Sequence, residues 1–341
     1  MPAPELPFPP MEAELVRELP EGEGWGYEPK WDGFRGVLEN LEGELTLWSR
    51  NERPLLRYFP ELRPLGDLLP PRSALDGEIV IVREGALDFD AMQMRLHPAE
   101  SRVRKLSAEI PATYVVFDLL LWDGEPFWQL PLEERRAELA KRAAGFRLSP
   151  QTRSLDEARG WLDRFESLGL DGVVAKRLAS PYLPGSRDGV VKVKEHKTAD
   201  CVVAGIRWKG SRDQIATLLL GLNNEKGRLD YVGSAAVAAR SRPEVAAKVL
   251  PLVEDDDPGW SPSEPNRWGT GALDQARLRP ELVVEVRYDK VQGDRFRHGT
   301  KLLRFRDDKD AKDCTWRELR PAREPGDPTI EELLAPGSRS G

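Results

Sequence analysis

Glu28-Pro29-Lys30-Trp31-Asp32-Gly33-Phe34-Arg35 decides the reading of this chain. It places a lysine, a carboxylate, a glycine and an arginine within a few residues, directly after the strand-like segment Trp25–Glu28. A lysine that acts as a nucleophile needs a fixed position and neighbours that lower its pKa; a lysine on a surface helix needs neither. Alone, Lys-x-Asp-Gly is weak, since average composition yields it by chance in roughly one chain in ten or twenty of this size. Alone, Lys30 reads more readily as a solvated loop lysine, and Asp32-Gly33 has ordinary turn chemistry as its lesser reading. The weight comes from the polar segments further along the chain.

The chain has 341 residues, enough for two domains with separate cores. Its 58 acidic against 51 basic residues give a net charge of −7. That counts against a protein that simply coats nucleic acid, although a basic face can coexist with an acidic remainder. The run Glu254-Asp255-Asp256-Asp257 reads as a solvated loop. No apolar run approaches the roughly 20 residues that span a bilayer. The start, Met1-Pro2-Ala3-Pro4-Glu5, has neither the basic end nor the apolar core of a secretion signal. Cys201 and Cys314 form no CxxC pattern, and only three histidines occur. A reducing bacterial cytoplasm without a zinc site is the expectation.

The first part reads as α/β. Strand candidates are 36–41, 44–48, 75–82, 113–121 and 190–194, rich in Val, Ile, Leu and aromatics. Leu41-Glu42-Gly43 marks a hairpin turn. Helices are predicted from Pro131 to Ala144 and from Ser154 to Leu168, the second with a Ser154/Glu157 capping box. Character changes near Thr198. Short strands at 201–208, 215–223, 229–234 and 282–288, with a helix at 243–253 and a proline-rich loop at 261–265, suit a small five-stranded barrel. The expected boundaries are 1–197, 198–320 and a loosely ordered tail at 321–341.

The polar segments share one property: each lies at or beside a strand, where a side chain projects into a cleft. They are Lys30-Trp31-Asp32-Gly33 with Arg35, Ser49-Arg50-Asn51, Asp76-Gly77-Glu78 and Val116-Phe117-Asp118. Then come Asp171-Gly172-Val173-Val174-Ala175-Lys176, Val191-Lys192-Val193-Lys194 and Arg304-Phe305-Arg306-Asp307-Asp308-Lys309. In this order they resemble the motifs of the covalent nucleotidyltransferases, which include ATP-dependent DNA ligases, RNA ligases and messenger RNA capping enzymes. The resemblance spans about residues 5 to 320. It is nearest to short bacterial ATP-dependent DNA ligases and the ligase domain of bacterial end-joining ligases, on Lys192 to Cys201, Asp171 to Lys176 and Glu285-Val286-Arg287-Tyr288.

The resemblance implies an α+β nucleotidyltransferase domain, ATP-grasp-like, followed by an all-β OB-fold barrel. It implies sealing of 5′-phosphate/3′-hydroxyl breaks in DNA repair, through a lysyl-AMP on Lys30 and then a DNA-adenylate. It further implies that Glu28, Asp32, Arg35, Arg50 and Lys176 hold the nucleotide or a DNA phosphate, and that Phe117 stacks on adenine. Glu78 and Asp171 become the acids associated with Mg²⁺, with Mn²⁺ as the substitute. Most relatives carry glutamate where this chain has Asp171, which shortens the arm by about one methylene. Arg306, Asp308 and Lys309 fall in the sixth motif, implied to orient the ATP pyrophosphate when the barrel closes about a hinge near Lys197–Asp200.

Physical chemistry agrees with the nucleophile. A free lysine amine has a pKa of about 10.4, and lowering it to about 7–8 takes roughly 3–5 kcal/mol. One cation about 6 Å away, at an effective dielectric of about 20, supplies roughly 3 kcal/mol. Lys192 and Lys194 alternate on one strand and so face one side, where the pair also suits an α-phosphate. Alone, however, they read equally as the wet face of an amphipathic strand. Nicked or broken double-stranded DNA is the implied partner of a monomer, helped by a Ku-type end-binding protein or a repair polymerase. Two alternatives stay open here: an RNA ligase or capping enzyme, and a non-catalytic DNA-end adaptor.

Overall fold

The structure, a computed structural model, describes residues 6–164, 168–194, 197–254, 275–319 and 329–334. The expected acidic loop at 255–257 and proline-rich loop at 261–265 lie outside them. The chain divides into two compact units, Met1–Glu195 with Arg323–Gly341, and His196–Ala322.

The first unit is built on two sheets. In one, Phe34–Leu41 runs between Glu44–Ser49 and Ser73–Arg83, with Ala112–Trp122 next to the last, all antiparallel. The hairpin turn forms because Glu42 and Gly43 both take positive φ, at 50° and 95°. Leu38, Leu47, Leu75, Ile79 and Leu119 are wholly buried on this sheet. The other sheet orders Glu14–Leu15, Val190–Val193, Val173–Arg177 and Trp25–Pro29. Its core is Tyr27, Val173, Ala175 and Val193.

The Leu132–Arg142 helix carries Glu133 and Glu134 in its first turn and Lys141 and Arg142 in its last, which matches the helix dipole. Pro131 is its N-cap rather than its first helical residue. In the Leu155–Arg164 helix the Ser154 hydroxyl accepts from the Glu157 N–H, half of the expected box. Helices at Phe89–Met94 and Glu100–Glu109 were not expected. Their apolar spacing is faint, and the second buries only Val103.

The second unit is a closed barrel. Lys197–Lys209, Ser211–Asn223, Leu229–Ala236, Thr300–Phe305 and Val283–Tyr288 pair in that order, and the last returns to the first. Only the third-to-fourth contact is parallel. The Arg242–Val249 helix buries Val245 and Val249 in the barrel core. This is the OB arrangement the strand pattern predicts.

Two expectations change. Lys197–Asp200 is not a free hinge: these four residues open the first barrel strand and pair in register with Tyr288–Glu285. The tail is not loose throughout either. Thr329 caps an Ile330–Leu333 turn through a complete capping box. Ile330 and Leu334 are buried in the first unit's core, and the Ile330 N–H donates to the Gly85 carbonyl. Apolar side chains at the right spacing outweigh the polar composition around them.

Cys201 and Cys314 are both fully buried in the barrel core. Burial pushes the Cys201 thiol far up and the Cys314 thiol to about 12. Since the thiolate is the reactive form, neither should react with a thiol reagent at pH 8 in the native protein, and both should react in denaturant. A titratable thiol before unfolding would contradict this burial.

Candidate active site

Lys30 comes directly after the Trp25–Pro29 strand and extends its pairing by one residue. Its N–H donates to the Gly172 carbonyl at 2.9 Å, and its carbonyl accepts from the Asp171 N–H at 3.0 Å. Trp31, next in line, is buried and donates its indole N–H to the Ser149 hydroxyl. Two glycines make the approach possible. A Cβ on Gly33 would lie 2.0 Å from the Ile79 carbonyl oxygen, and one on Gly172 would lie 2.0 Å from that of Val193. The Lys-x-Asp-Gly glycine is therefore a packing requirement, and the motif's lysine is held at both ends.

The side chain is held too. Lys30 Nζ lies 2.7 Å from Asp171 Oδ2, and Lys194 Nζ lies 2.9 Å from the same oxygen. Burial pushes the Asp171 carboxyl up, but the two ammonium groups outweigh it and hold it below the usual carboxylate range. Burial together with the neighbouring cations Lys30, Lys194 and Arg50 lowers the pKa of Lys192. The expected cluster of Lys30, Lys192 and Lys194 thus exists, with Asp171 embedded in it.

A cleft of about 640 Å³ opens beside this cluster. Register explains its lining. Val174 pairs with Glu28 on one side and Lys192 on the other, so these side chains share a face, and Lys176 joins it two residues on. Lys176 Nζ lies 2.9 Å from Glu28 Oε2, and Gln151 donates to Glu28 Oε1 at 2.9 Å. Phe117, 8 % exposed, lines the cleft with Lys176 Nζ 4.5 Å and the Arg35 guanidinium 5.2 Å from its ring centre. Beside it, Arg135 forms a buried two-pronged pair with Asp118.

Arg35 and Glu78 face each other across neighbouring strands, and both line the cleft. Arg35 forks onto Asp76, at 3.1 Å and 2.6 Å, and the Tyr182 hydroxyl donates to Asp76 Oδ2 at 2.6 Å. Burial pushes the Glu78 carboxyl up to about 7 against the pull of Lys30 and Arg35. Asp76 is wholly buried, so Asp76→Ala strands the Arg35 cation. That should cost about 3–5 kcal/mol in a chemical melt. A loss below about 1 kcal/mol would show that the pair does not hold the site.

Arg50 also lines the cleft and pairs with Glu12, as does Arg187 at 2.9 Å. Asp32 sits in the Lys30 loop but not in the cleft lining. Arg306 and Lys309 belong to the second unit. Arg306 forks onto Asp308 and also donates to Asp200, and Lys309 bonds Asp200 and Glu318. Glu12, Asp76's partner Tyr182, Gln151 and Arg187 carried no predicted role. Arg187 alone had a local signal, a charged residue in the turn Gly185-Ser186-Arg187-Asp188 just before the Lys192 strand.

Comparison with known proteins decides the family. A model described as the ATP dependent DNA ligase domain matches residues 10–194, and one described as the ATP dependent DNA ligase C terminal region matches residues 211–309. The chain belongs to the ATP-dependent DNA ligases. It is similar to DNA ligase C2 of Mycolicibacterium smegmatis, 43% identical over 336 residues covering 92% of this chain and 94% of that one. It is also 34% identical over 333 residues to the multifunctional non-homologous end joining protein LigD of Pseudomonas aeruginosa, covering 95% of this chain but 37% of that protein. Among solved structures, a Lig E DNA ligase shares the fold, with a TM-score of 0.50 and 15% identity over 87% of this chain and 100% of that one. Lys30, Glu78, Lys192 and Lys194 of this ligase all lie within one cleft-bearing unit. Among its described residues, no helix is long and apolar enough to cross a membrane.

Proposed function

We propose that Lys30 is the residue adenylated when this ligase seals 5′-phosphate/3′-hydroxyl breaks in double-stranded DNA during repair. The observation that carries this is Lys30 Nζ at the cleft, 2.7 Å from an Asp171 oxygen that it shares with Lys194. The ammonium must give up a proton to water before it attacks, and Asp171 Oδ2 orients the amine for that attack. The nitrogen then bonds to the α-phosphorus of ATP, and the bond from that phosphorus to the pyrophosphate oxygen breaks. Lys192 and Lys194 stabilise the charge that develops on the α-phosphate. AMP next passes to a DNA 5′-phosphate, and the 3′-hydroxyl displaces it.

The remaining candidate residues, in the cleft lining and beyond it, divide the work. Phe117 offers its ring to adenine, with Glu28 and Lys176 beside it. Asp32 and Arg35 hold ribose and nucleotide phosphate, and Arg50 takes the DNA 5′-phosphate, which its planar fork suits. Arg306 and Lys309 of the second unit orient the pyrophosphate. The division of labour runs from an adenylation domain ending near residue 197 to an OB-fold domain ending near 320.

No cluster of three or more His, Cys, Asp or Glu with metal-site geometry occurs among the described residues. Mg²⁺ fits nonetheless, because it takes one or two carboxylates and completes its shell with water and substrate phosphates. Glu78, a cleft carboxyl pushed up to about 7 by burial, has the electrostatic need for another cation. Glu78 and Asp171 would hold Mg²⁺, or Mn²⁺ in its place. When bound, the metal supplies charge neutralisation on the phosphates.

The similarity to the end-joining protein supports a Ku-type end-binding protein or a repair polymerase as a recruiting partner of a monomeric enzyme. Retention of the ligase on Ku-bound DNA ends, above its retention on bare ends, tests that part. The function itself is tested with α-labelled ATP and GTP, then with nicked DNA and nicked RNA. A covalent label from ATP alone, and sealing of nicked DNA in preference to RNA, are expected. Label from GTP, sealing confined to RNA, or no label would overturn the reading.

A further inference from the structure

Arg306 and Lys309 lie three residues apart after a barrel strand, yet neither is left to solvent. Both donate to one oxygen, Asp200 Oδ2, at 2.8 Å and 3.0 Å. Asp200 sits near the start of the first barrel strand, and its N–H donates to Glu318 Oε2 at 3.1 Å. Glu318 Oε1 in turn takes Lys309 Nζ at 2.5 Å. The Arg306 fork has a second carboxylate on it, Asp308.

Exposure separates the two carboxylates on Arg306. The Asp308 side chain is 65% exposed, whereas that of Asp200 is 11%. An exposed ion pair exchanges readily with water and with an incoming anion. A buried carboxylate shared by two cations does not, because losing it leaves charge stranded. Asp200 Oδ1, moreover, is buried without a hydrogen-bond partner among the described residues. The side chain is thus held in place by its cation contacts at Oδ2.

We propose that Asp200 is a positioning residue for the first chemical step. It fixes Arg306 and Lys309 as one rigid cationic pair, able to meet the leaving pyrophosphate of ATP together. This rests on the reading that Arg306 and Lys309 serve the pyrophosphate. A pair of cations set at a fixed spacing aids a transition state far more than two mobile ones. The effect should therefore be confined to the step in which pyrophosphate leaves.

The test separates the steps. Enzyme–AMP formation from ATP is timed in Asp200→Asn and Asp200→Ala, and the same preparations seal a nick that already carries 5′-AMP, without ATP. We expect at least about a tenfold slower enzyme–AMP formation, with sealing of the adenylated nick within about twofold of the parent. Equal loss in both assays would mean a merely structural role and would overturn the proposal, as would no loss in either. Faster enzyme–AMP formation would also overturn it, since Asp200 would then be withholding the cations. Asp200→Asn keeps the side chain's shape, so it serves if the alanine variant does not fold. Arg306→Ala is run in parallel. If it leaves enzyme–AMP formation intact, the pyrophosphate reading has failed, whereas a slow Arg306→Ala beside a normal Asp200→Asn sinks only the role of Asp200.

Discussion

Lys30→Ala should lower ATP-dependent nick sealing and covalent labelling by ATP at least about a thousandfold. Removing a nucleophile removes the covalent route itself, not one contact among several. No neighbour replaces it. Lys192 and Lys194 are close, but Lys192 is fixed on its own strand between Leu15 and Val174, and Lys194 is paired with Asp171. The variant should still seal a nick that already carries 5′-AMP, because the final step makes no bond to the lysine. The Lys30 side chain pairs with Asp171 near the cleft, 19% exposed, so its loss should leave folding intact. Substantial labelling of Lys30→Ala would place the nucleophile elsewhere.

Gly172→Ala should be the most damaging small substitution in the site. Gly172 has φ of +130°, where a side chain is strained, and its added Cβ would meet the Val193 carbonyl oxygen at 2.0 Å. Neither fault can be relieved by turning a rotamer, since the obstacle is backbone. Strain and overpacking together should cost about 2–5 kcal/mol. The Gly172 carbonyl also receives the Lys30 N–H, so the displacement carries into the nucleophile. Enzyme–AMP formation should fall at least about tenfold. Gly227→Ala is the control. Gly227 also has positive φ, at +69°, but nothing lies within 4 Å of an added Cβ, so only about 1 kcal/mol of strain is expected. Thermal melts and labelling that show the two variants alike would contradict the packing argument.

Much of the site was legible because its residues sit on strands. Alternation suggested that Lys192 and Lys194 share a side, and the cleft collects Lys30, Arg35, Arg50, Glu78, Phe117, Lys176 and Lys192, whereas Lys194, one residue past its strand, reaches Asp171 instead. The barrel was legible for the same reason, since short strands with turn residues between them announce their pairing. What stayed hidden was the partner set. That Asp171 would hold two ammonium groups, or that Tyr182 would reach Asp76 across 106 residues, depends on tertiary contacts with no local period. The resemblance implied a hinge near Lys197–Asp200, but pairing with Tyr288–Glu285 makes these residues strand. The helical turn at 330–333 was masked by polar flanks, and only Ile330 and Leu334 reveal what it buries.

The most direct measurement is the site of the adduct. The ligase is incubated with ATP and divalent metal, digested at neutral or alkaline pH, where the phosphoramide bond survives, and mapped by mass spectrometry. The peptide containing Lys30 should gain one AMP, on the side chain of that lysine and nowhere else. An AMP found on Lys192, Lys194 or any other residue, with Lys30 unmodified, would contradict the account.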